Sequence, residues 1–357
     1  MLAVKQLGTL RRSLLRITAL ALAGVIAGCG PSASPLPASR SAPLPYPDAA
    51  GPPVQVGGDT VRVLPRGSTA FPVILSLIAH ATRSVHAEMY EFGRADIAGA
   101  LVAAHRRGVA VTLIVDPSVD VSRSTAAQLR GEGVDVLDYP VRRLMIDHVK
   151  LLVVDGSVAV VGGINWGAQS DRNHDVDAML RGPAATNLDR IFDGDLVACG
   201  REAAVPPAAD DDRVLVASTL PGADIRPLVM QLIEGARSRL DLELYVITDS
   251  GIVHAIEAAA ARGVAVRVMI DPGQRPSDAS AASLTAAGVA LRRYRTSGEL
   301  LHAKLGVADG RMSIFGSANW TAGGFQRNHE VDVEILDAPA VAAEITAMVD
   351  ADWSASA

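Results

Sequence analysis

Only two cysteines occur in the 357 residues, Cys29 and Cys199. That is too few for a disulfide framework, and the spacing of a zinc site is missing, so neither a bound metal nor another cofactor is implied. An apolar run long enough to cross a bilayer is missing as well, because Ile17–Gly28 falls short of the required length. Positive charge is not in excess: the formal net charge is -6, a poor surface for tracking nucleic-acid phosphates unless a local basic groove exists. What is present is a composition of 49% apolar and 20% charged residues, which excludes wholesale disorder. The length suits one large domain or two of ordinary size.

The four basic residues Lys5, Arg11, Arg12 and Arg16 precede Ile17–Gly28, the pattern of a signal peptide over residues 1–28. Its end, Ile26-Ala27-Gly28-Cys29, resembles the bacterial lipobox, in which the thiol is acylated after cleavage. The resemblance implies an exported protein tied to the membrane surface through Cys29, facing periplasm or cell exterior. An ordinary signal peptide cleaved near a cysteine is the competing reading. Residues 29–53 are rich in Pro, Ser and Ala and read as an extended tether. The folded part is expected from Val54. Cys199 follows Leu196-Val197-Ala198 and reads as an inert buried thiol.

The folded part repeats itself at an offset of 155 residues. Val85-His86-Ala87-Glu88-Met89-Tyr90 matches Leu240-Asp241-Leu242-Glu243-Leu244-Tyr245, and Arg107-Gly108-Val109-Ala110-Val111 matches Arg262-Gly263-Val264-Ala265-Val266. Two copies indicate a duplicated domain, not a solenoid. In the first copy the apolar pattern predicts a strand over 84–92, a helix over 95–106 and a strand over 109–115. The second copy repeats this over 239–247, 251–262 and 264–270. Alternating strands and helices predict an α/β fold with each sheet buried between helices. The boundaries are a first domain at 54–202, a linker at 203–212 with paired prolines and three aspartates, and a second domain at 213–357.

Each copy carries one polar constellation. The first has His148-Val149-Lys150, Asp155 after four further residues, then Gly162-Gly163-Ile164-Asn165; the second has His302-Ala303-Lys304, Asp309, then Gly316-Ser317-Ala318-Asn319. Seventeen positions separate His from Asn in both. The residues between are apolar and largely β-branched, which predicts a hairpin turning at Asp155-Gly156. In a strand, His and Lys two apart share a face, and the returning strand brings the Asn to the same end. A lone His-x-Lys is usually edge decoration, but packing does not preserve the same polar set twice. Lys150, Lys304, Asn165 and Asn319 suit the oxygens of a phosphodiester. One imidazole can attack phosphorus while the other protonates the leaving alkoxide and then activates water, with no metal required.

These paired motifs resemble the phospholipase D superfamily, whose signature is H-x-K-x4-D followed by G-[GS]-x-N. The likeness covers both copies, from about Val54 onward. It implies two similar α/β/α sandwich domains related by pseudo-twofold symmetry, with one active site at their interface and both half-sites in one monomeric chain. By that resemblance the motif residues His148, Lys150, Asp155, His302, Lys304 and Asp309 form the catalytic set, with His148 as nucleophile and His302 as acid/base. Family members also place an acid after each motif to orient its histidine, which falls here on Asp175 and Glu330. The two copies differ: Gly163 stands against Ser317, and Asp175 against Glu330, ten and eleven residues after the respective Asn. Asp155 and Asp309 read more simply as turn residues than as proton carriers. Glu88 and Glu243, beside Tyr90 and Tyr245, are candidates to support the site from behind. His80, His86, His105 and His254 lack repeat partners and ligand spacing.

The family includes phospholipases, cardiolipin synthases and nucleases, so the fold does not name the substrate. A membrane-anchored acidic protein meets phospholipid head groups, which favours head-group hydrolysis or phosphatidyl transfer through a phosphohistidine. An exported nuclease is the alternative, since Arg142-Arg143 and Arg292-Arg293-Tyr294-Arg295 lie just before the motifs and can line a basic groove. An inactive protein that binds anionic ligands is the third reading, opposed by the intact His, Lys and Asn in both halves.

Overall fold

The computed structural model describes residues 51–295 and 298–356. The leader at 1–28, Cys29 and nearly all of the tether lie outside the described residues. Among the described residues, no helix is long and apolar enough to cross a membrane.

The first half runs β1 (Val54–Val56), β2 (Asp59–Pro65), α1 (Gly67–His80), β3 (Ser84–Met89), α2 (Ala95–Arg106), β4 (Ala110–Val115), α3 (Asp120–Gly131) and β5 (Asp135–Asp138). It continues with β6 (Lys150–Val154), β7 (Val158–Gly162), β8 (Asn173–His174), β9 (Val176–Arg181) and α4 (Pro183–Ala198). The second half repeats the theme as β10 (Val214–Ser218), α5 (Ile225–Gly235), β11 (Arg239–Leu244), α6 (Ser250–Ala261), β12 (Ala265–Ile270), α7 (Asp278–Ala286) and β13 (Ala290–Arg293). Then follow β14 (Leu300–Leu301), β15 (Lys304–Ala308), β16 (Met312–Gly316), α8 (Ala322–Gln326), β17 (Val331–Ile335) and α9 (Pro339–Ala355). The first sheet has the order β1-β2-β9-β7-β6-β3-β4-β5, and the second β10-β17-β16-β15-β11-β12-β13. The halves are thus similar mixed α/β units.

Each sheet is apolar on both faces, because helices cover one side and the other half covers the other. Helices α1 to α3 and α5 to α7 supply the two outer cores. A third core joins the halves, with Val149, Leu151 and Val153 of the first and Ala303, Leu305 and Val307 of the second. The expected strand at 84–92 ends at Met89, where Tyr90 N turns to Val149 O and Phe92 pairs instead with Trp166. The linker expected at 203–212 has no regular structure and is pinned to α4 by Asn187–Ala209 and Arg190–Pro206 hydrogen bonds. Cys199, expected to be buried, is half-buried behind α4, and burial with Asp195 nearby pushes its thiol up to about 12.

The motif hairpins turn as their sequence demands. Asp155 and Gly156 have φ of 54° and 61°, Asp309 and Gly310 have 53° and 62°, so both turns need two consecutive left-handed residues, for which Asp-Gly is suited. Asp155 and Asp309, counted with the catalytic set by resemblance, stand at the far end of their hairpins, about 16 Å from the lysines at the strand spacing. Asp155 accepts from the backbone of Thr82, Arg83 and Ser84, and Asp309 from Arg237, Ser238 and Arg239. They are therefore loop clasps and not proton carriers.

These amide bonds hold Asp309 at about 2, below the ordinary 3.8, although burial alone would raise it. A depressed folded pKa means the stabilisation is complete above about pH 4 and is lost as pH falls toward 2. Asp309→Asn is expected to cost about 1–2 kcal/mol at pH 7. In urea titrations its deficit against the parent should shrink below pH 4; a deficit independent of pH would refute the clasp.

Candidate active site

His148 and Lys150 lie at the entry to β6, and His302 and Lys304 at the entry to β15. Antiparallel pairing sets Lys150 opposite Met89 and Lys304 opposite Leu244. Alternation along the strand then turns His and Lys to one side and Val149 or Ala303 to the core. Each lysine Nζ donates to its histidine's carbonyl and lies over the ring of Tyr90 or Tyr245, 5.2 and 5.3 Å from the centroids. The same tyrosines contact His148 and His302, each at 4.8 Å between ring centroids.

The two sets meet through backbone pairing across the halves. His148 N donates to His329 O and His302 N to His174 O, both at 2.8 Å. Strand β8 runs parallel to β14, and Asp147 pairs with His329 in the matching position. One residue further on, Glu330 reaches His148 Nδ1 at 2.7 Å and Asp175 reaches His302 Nδ1 at 3.0 Å. Each histidine is therefore faced by the acid of the opposite half. Sequence reasoning named these acids but had no means of seeing the exchange, because it arises from contacts 127 and 182 residues apart.

The unlike arms are matched to their surroundings. Glu330 Oε2 also accepts from Ser317 Oγ at 2.6 Å, and its Oε1 from Asn328 at 3.0 Å. Gly163 stands in place of Ser317, and a Cβ there would come within 2.4 Å of Asp175 Oδ1. The shorter aspartate sits closer to its loop, so that loop can carry no side chain at 163.

Asn165 Nδ2 donates to Glu91 Oε2 at 3.2 Å, while the Oδ1 atoms of Asn165 and Asn319 are buried without a partner. Asp177 and Asp332, fully buried, accept from Ile164 N and Ala318 N and so hold the loops that carry these asparagines. Sequence reading passed over Tyr90, Tyr245, Glu91, Asp177 and Asp332 as site residues. The repeat was the available signal for four of them, since each tyrosine and aspartate recurs at 155. Glu88 and Glu243 are buried behind the site: Glu243 lies 2.8 Å from His174 Nε2, and Glu88 3.8 Å from His329 Nε2. The arginines of 292–293 do not form a free groove, because Arg292 donates to Trp353 and Ser356 carbonyls and Arg293 to Asp278.

Burial pushes His148 well below its ordinary value, and Lys150, Lys304 and His302 push it further. His302 is lowered by burial against the opposing charge of Asp175. Burial lowers Lys150 to about 7 and also depresses Lys304, while it raises Glu330 to about 7 against the pull of Lys150. Asp175 goes the other way: burial would raise it, but His302 and Lys304 hold it below the ordinary carboxylate range. In one pair both members lean toward neutrality, and in the other the aspartate stays ionised. An anion entering the site would favour the protonated form of both lysines, which burial disfavours.

Comparison with known proteins agrees with this geometry. The family described as "Cardiolipin synthase, PLD-like domain" matches residues 74–196 and 229–353. Cardiolipin synthase A of Erwinia tasmaniensis is 30% identical over 283 residues, 68% of this chain and 58% of that protein. Cardiolipin synthase 2 of Bacillus cereus is 28% identical over 78% of this chain and 62% of its own length. This chain thus spans about 60% of the length of the curated relatives it matches. Among solved structures, phosphatidylserine synthase of Haemophilus influenzae superposes with a TM-score of 0.63 at 13% identity, covering 81% of this chain and 85% of that one. Polyphosphate kinase of Porphyromonas gingivalis gives 0.60 at 18% identity, covering 82% and 46%. At these identities the two structures show the fold alone.

Asp175→Asn and Glu330→Gln should each lower turnover about 10²–10⁴-fold, the worth of a positioned acid–base group, with the fold kept. Gly163→Ala should impair the enzyme as Asp175→Asn does, since it displaces the same carboxylate, whereas Ser317→Ala should cost less. Equal effects of the two small changes on kcat would contradict the matched arms.

Proposed function

This chain belongs to the phospholipase D superfamily, and from that premise we propose that it breaks the phosphodiester bond of a phospholipid head group, passing the phosphatidyl group to water or to an alcohol. The observation that carries the reading is the convergence of two His-Lys-Asn sets, each histidine backed by an acid of the opposite half. A carboxylate at Nδ1 fixes the imidazole so that Nε2 faces the reacting atoms.

Following the family's pattern, His148 Nε2 attacks phosphorus and the bond to the leaving alkoxide breaks, while His302 gives that oxygen a proton. Water or an alcohol then loses its proton to His302 and attacks phosphorus, and the phosphorus–nitrogen bond breaks to free His148. Lys150, Lys304, Asn165 and Asn319 surround the non-bridging oxygens, where charge accumulates. Side chains supply every step.

Three features favour lipid over nucleic acid. The curated relatives are cardiolipin synthases, the chain is acidic overall, and Arg142, Arg143 and Leu144 form an exposed turn just before His148. Leu144 is 77% exposed, an apolar tip preceded by two cations, which suits an anionic bilayer surface. Anchorage through Cys29 would keep the protein at a membrane surface and extends the same proposal.

Head-group release and transfer from phosphatidylglycerol vesicles, with single-stranded DNA run alongside, tests the reading. His148→Ala and His302→Ala should each abolish lipid turnover. DNA cleavage with no lipid turnover would make the protein a nuclease, and silence on both would leave it a binding protein. After rapid alkaline quench, mass spectrometry should find lipid phosphate on His148; recovery on His302 would reverse the two roles.

Leu144→Asp is expected to lower turnover on vesicles about tenfold or more, from the loss of about 1.5–3 kcal/mol of apolar burial. Turnover of a short-chain monomeric substrate should be unchanged, and an equal loss on both substrates would remove the turn from the membrane contact.

A further inference from the structure

Two buried clusters, related by the repeat, stand behind the catalytic histidines. Behind His302 lie His174, Glu243 and Asp352. Arg66 completes that group, with Nη2 2.9 Å from Asp352 Oδ1 and its other arm on Glu299. Three carboxylates there, Glu243, Asp352 and Glu299, meet one imidazole and one guanidinium.

Behind His148 the corresponding positions are held by His329, Glu88 and Asp195, but the cation is replaced. Arg66 N donates to Asp175 O, and the matching bond in the other half is Thr219 N to Glu330 O. Thr219 therefore occupies the place of Arg66, and its hydroxyl is committed to Asn328 O at 2.6 Å and Glu330 N at 2.9 Å. A second difference adds negative charge: Asp147 precedes His148, where Leu301 precedes His302. Three carboxylates then face a single imidazole.

Their atoms are unusually bare. Both carboxylate oxygens of Glu88, Asp147 Oδ2 and Asp195 Oδ2 are buried without a hydrogen-bond partner, and Glu88 is 0% exposed. His329 Nε2 lies 3.0 Å from Asp195 Oδ2, an ion pair, and 3.8 Å from Glu88 Oε1, so one imidazole is the only cation that these acids meet among the described residues. Unpaired buried acids are costly unless a cation meets them.

We propose that Glu88, Asp147 and His329, with Asp195 beside them, bind one divalent metal ion of the zinc or manganese kind, which takes the place that Arg66 fills in the other half. The ligand atoms of Glu88, Asp147 and His329 all lie within 4.8 Å of one another. Bonds of about 2.0–2.2 Å at tetrahedral or octahedral angles put ligand atoms about 3.0–3.6 Å apart, so the three side chains draw in by up to about 1–2 Å as the ion binds. Imidazole with carboxylates suits zinc or manganese better than calcium, which takes oxygen ligands. A cavity of about 580 Å³, bordered by Asp195, Tyr139, Leu220 and Pro221, reaches the edge of the cluster at Asp195. The cavity lies away from the two catalytic histidines, so the ion would not touch substrate. It would fix His329, whose carbonyl holds His148 N and whose neighbour Glu330 faces His148 Nδ1.

Untagged full-length protein, purified in detergent without chelator, should carry about one equivalent of zinc or manganese by mass spectrometry of the metal. Removing it with dipicolinate should lower the melting temperature, and either ion should restore it. Glu88→Gln and Asp147→Asn should lose the metal, while Glu243→Gln, in the cluster that Arg66 neutralises, should keep it. Wild-type protein that holds no metal and is not stabilised by either ion would overturn the site. Two equivalents, or loss in Glu243→Gln as well, would overturn its assignment to this cluster. The wild-type reading does not depend on any variant folding, nor on whether the substrate is a lipid.

Discussion

The exchange of acids between the halves is the constraint from which the rest of the site follows. A backbone hydrogen bond from each motif histidine, His148 or His302, to the histidine preceding the opposite acid sets the register. The carboxylate then falls on Nδ1 without adjustment. Because the link is backbone to backbone, it does not depend on which side chains flank it, and the shared apolar core holds both halves at that spacing. The lysines, tyrosines and asparagines are placed by strand alternation and hairpin return, local rules that act within each half.

Those local rules were legible in the amino-acid sequence. The Asp-Gly pairs announced the turns, the β-branched runs announced the hairpin strands, and the doubled His-x-Lys pattern announced a site where one copy would have meant little. Asp155 and Asp309 show the limit of reading a motif as a unit: they recur with the histidines because the hairpin needs a clasp at its far end, not because the chemistry needs them. The acids were found as residue types in the right place, but their partners were not. Strand periodicity carries no information about a contact made across 182 residues.

The one-residue difference between the two acid arms shows how a local irregularity is absorbed. Asp175 and Glu330 differ in length, and the loops differ with them: glycine where the carboxylate lies close, serine where it reaches further and can take another hydrogen bond. The consequence is electrical as well as steric. Asp175 remains ionised beside His302, while Glu330 is drawn toward neutrality by burial. Two half-sites built on one plan thus present different environments to their imidazoles.

The crossed pairing also bears on how such a chain arises. A single half carries a histidine whose acid it cannot itself provide, so an unfused ancestor would have had to associate with its own copy to be active. In that symmetric pair both centres would be alike, and any change useful to one would be imposed on the other. Joining the copies in tandem lifts that restriction, and Gly163 against Ser317, or Arg66 against Thr219, are differences that such a tandem chain can hold.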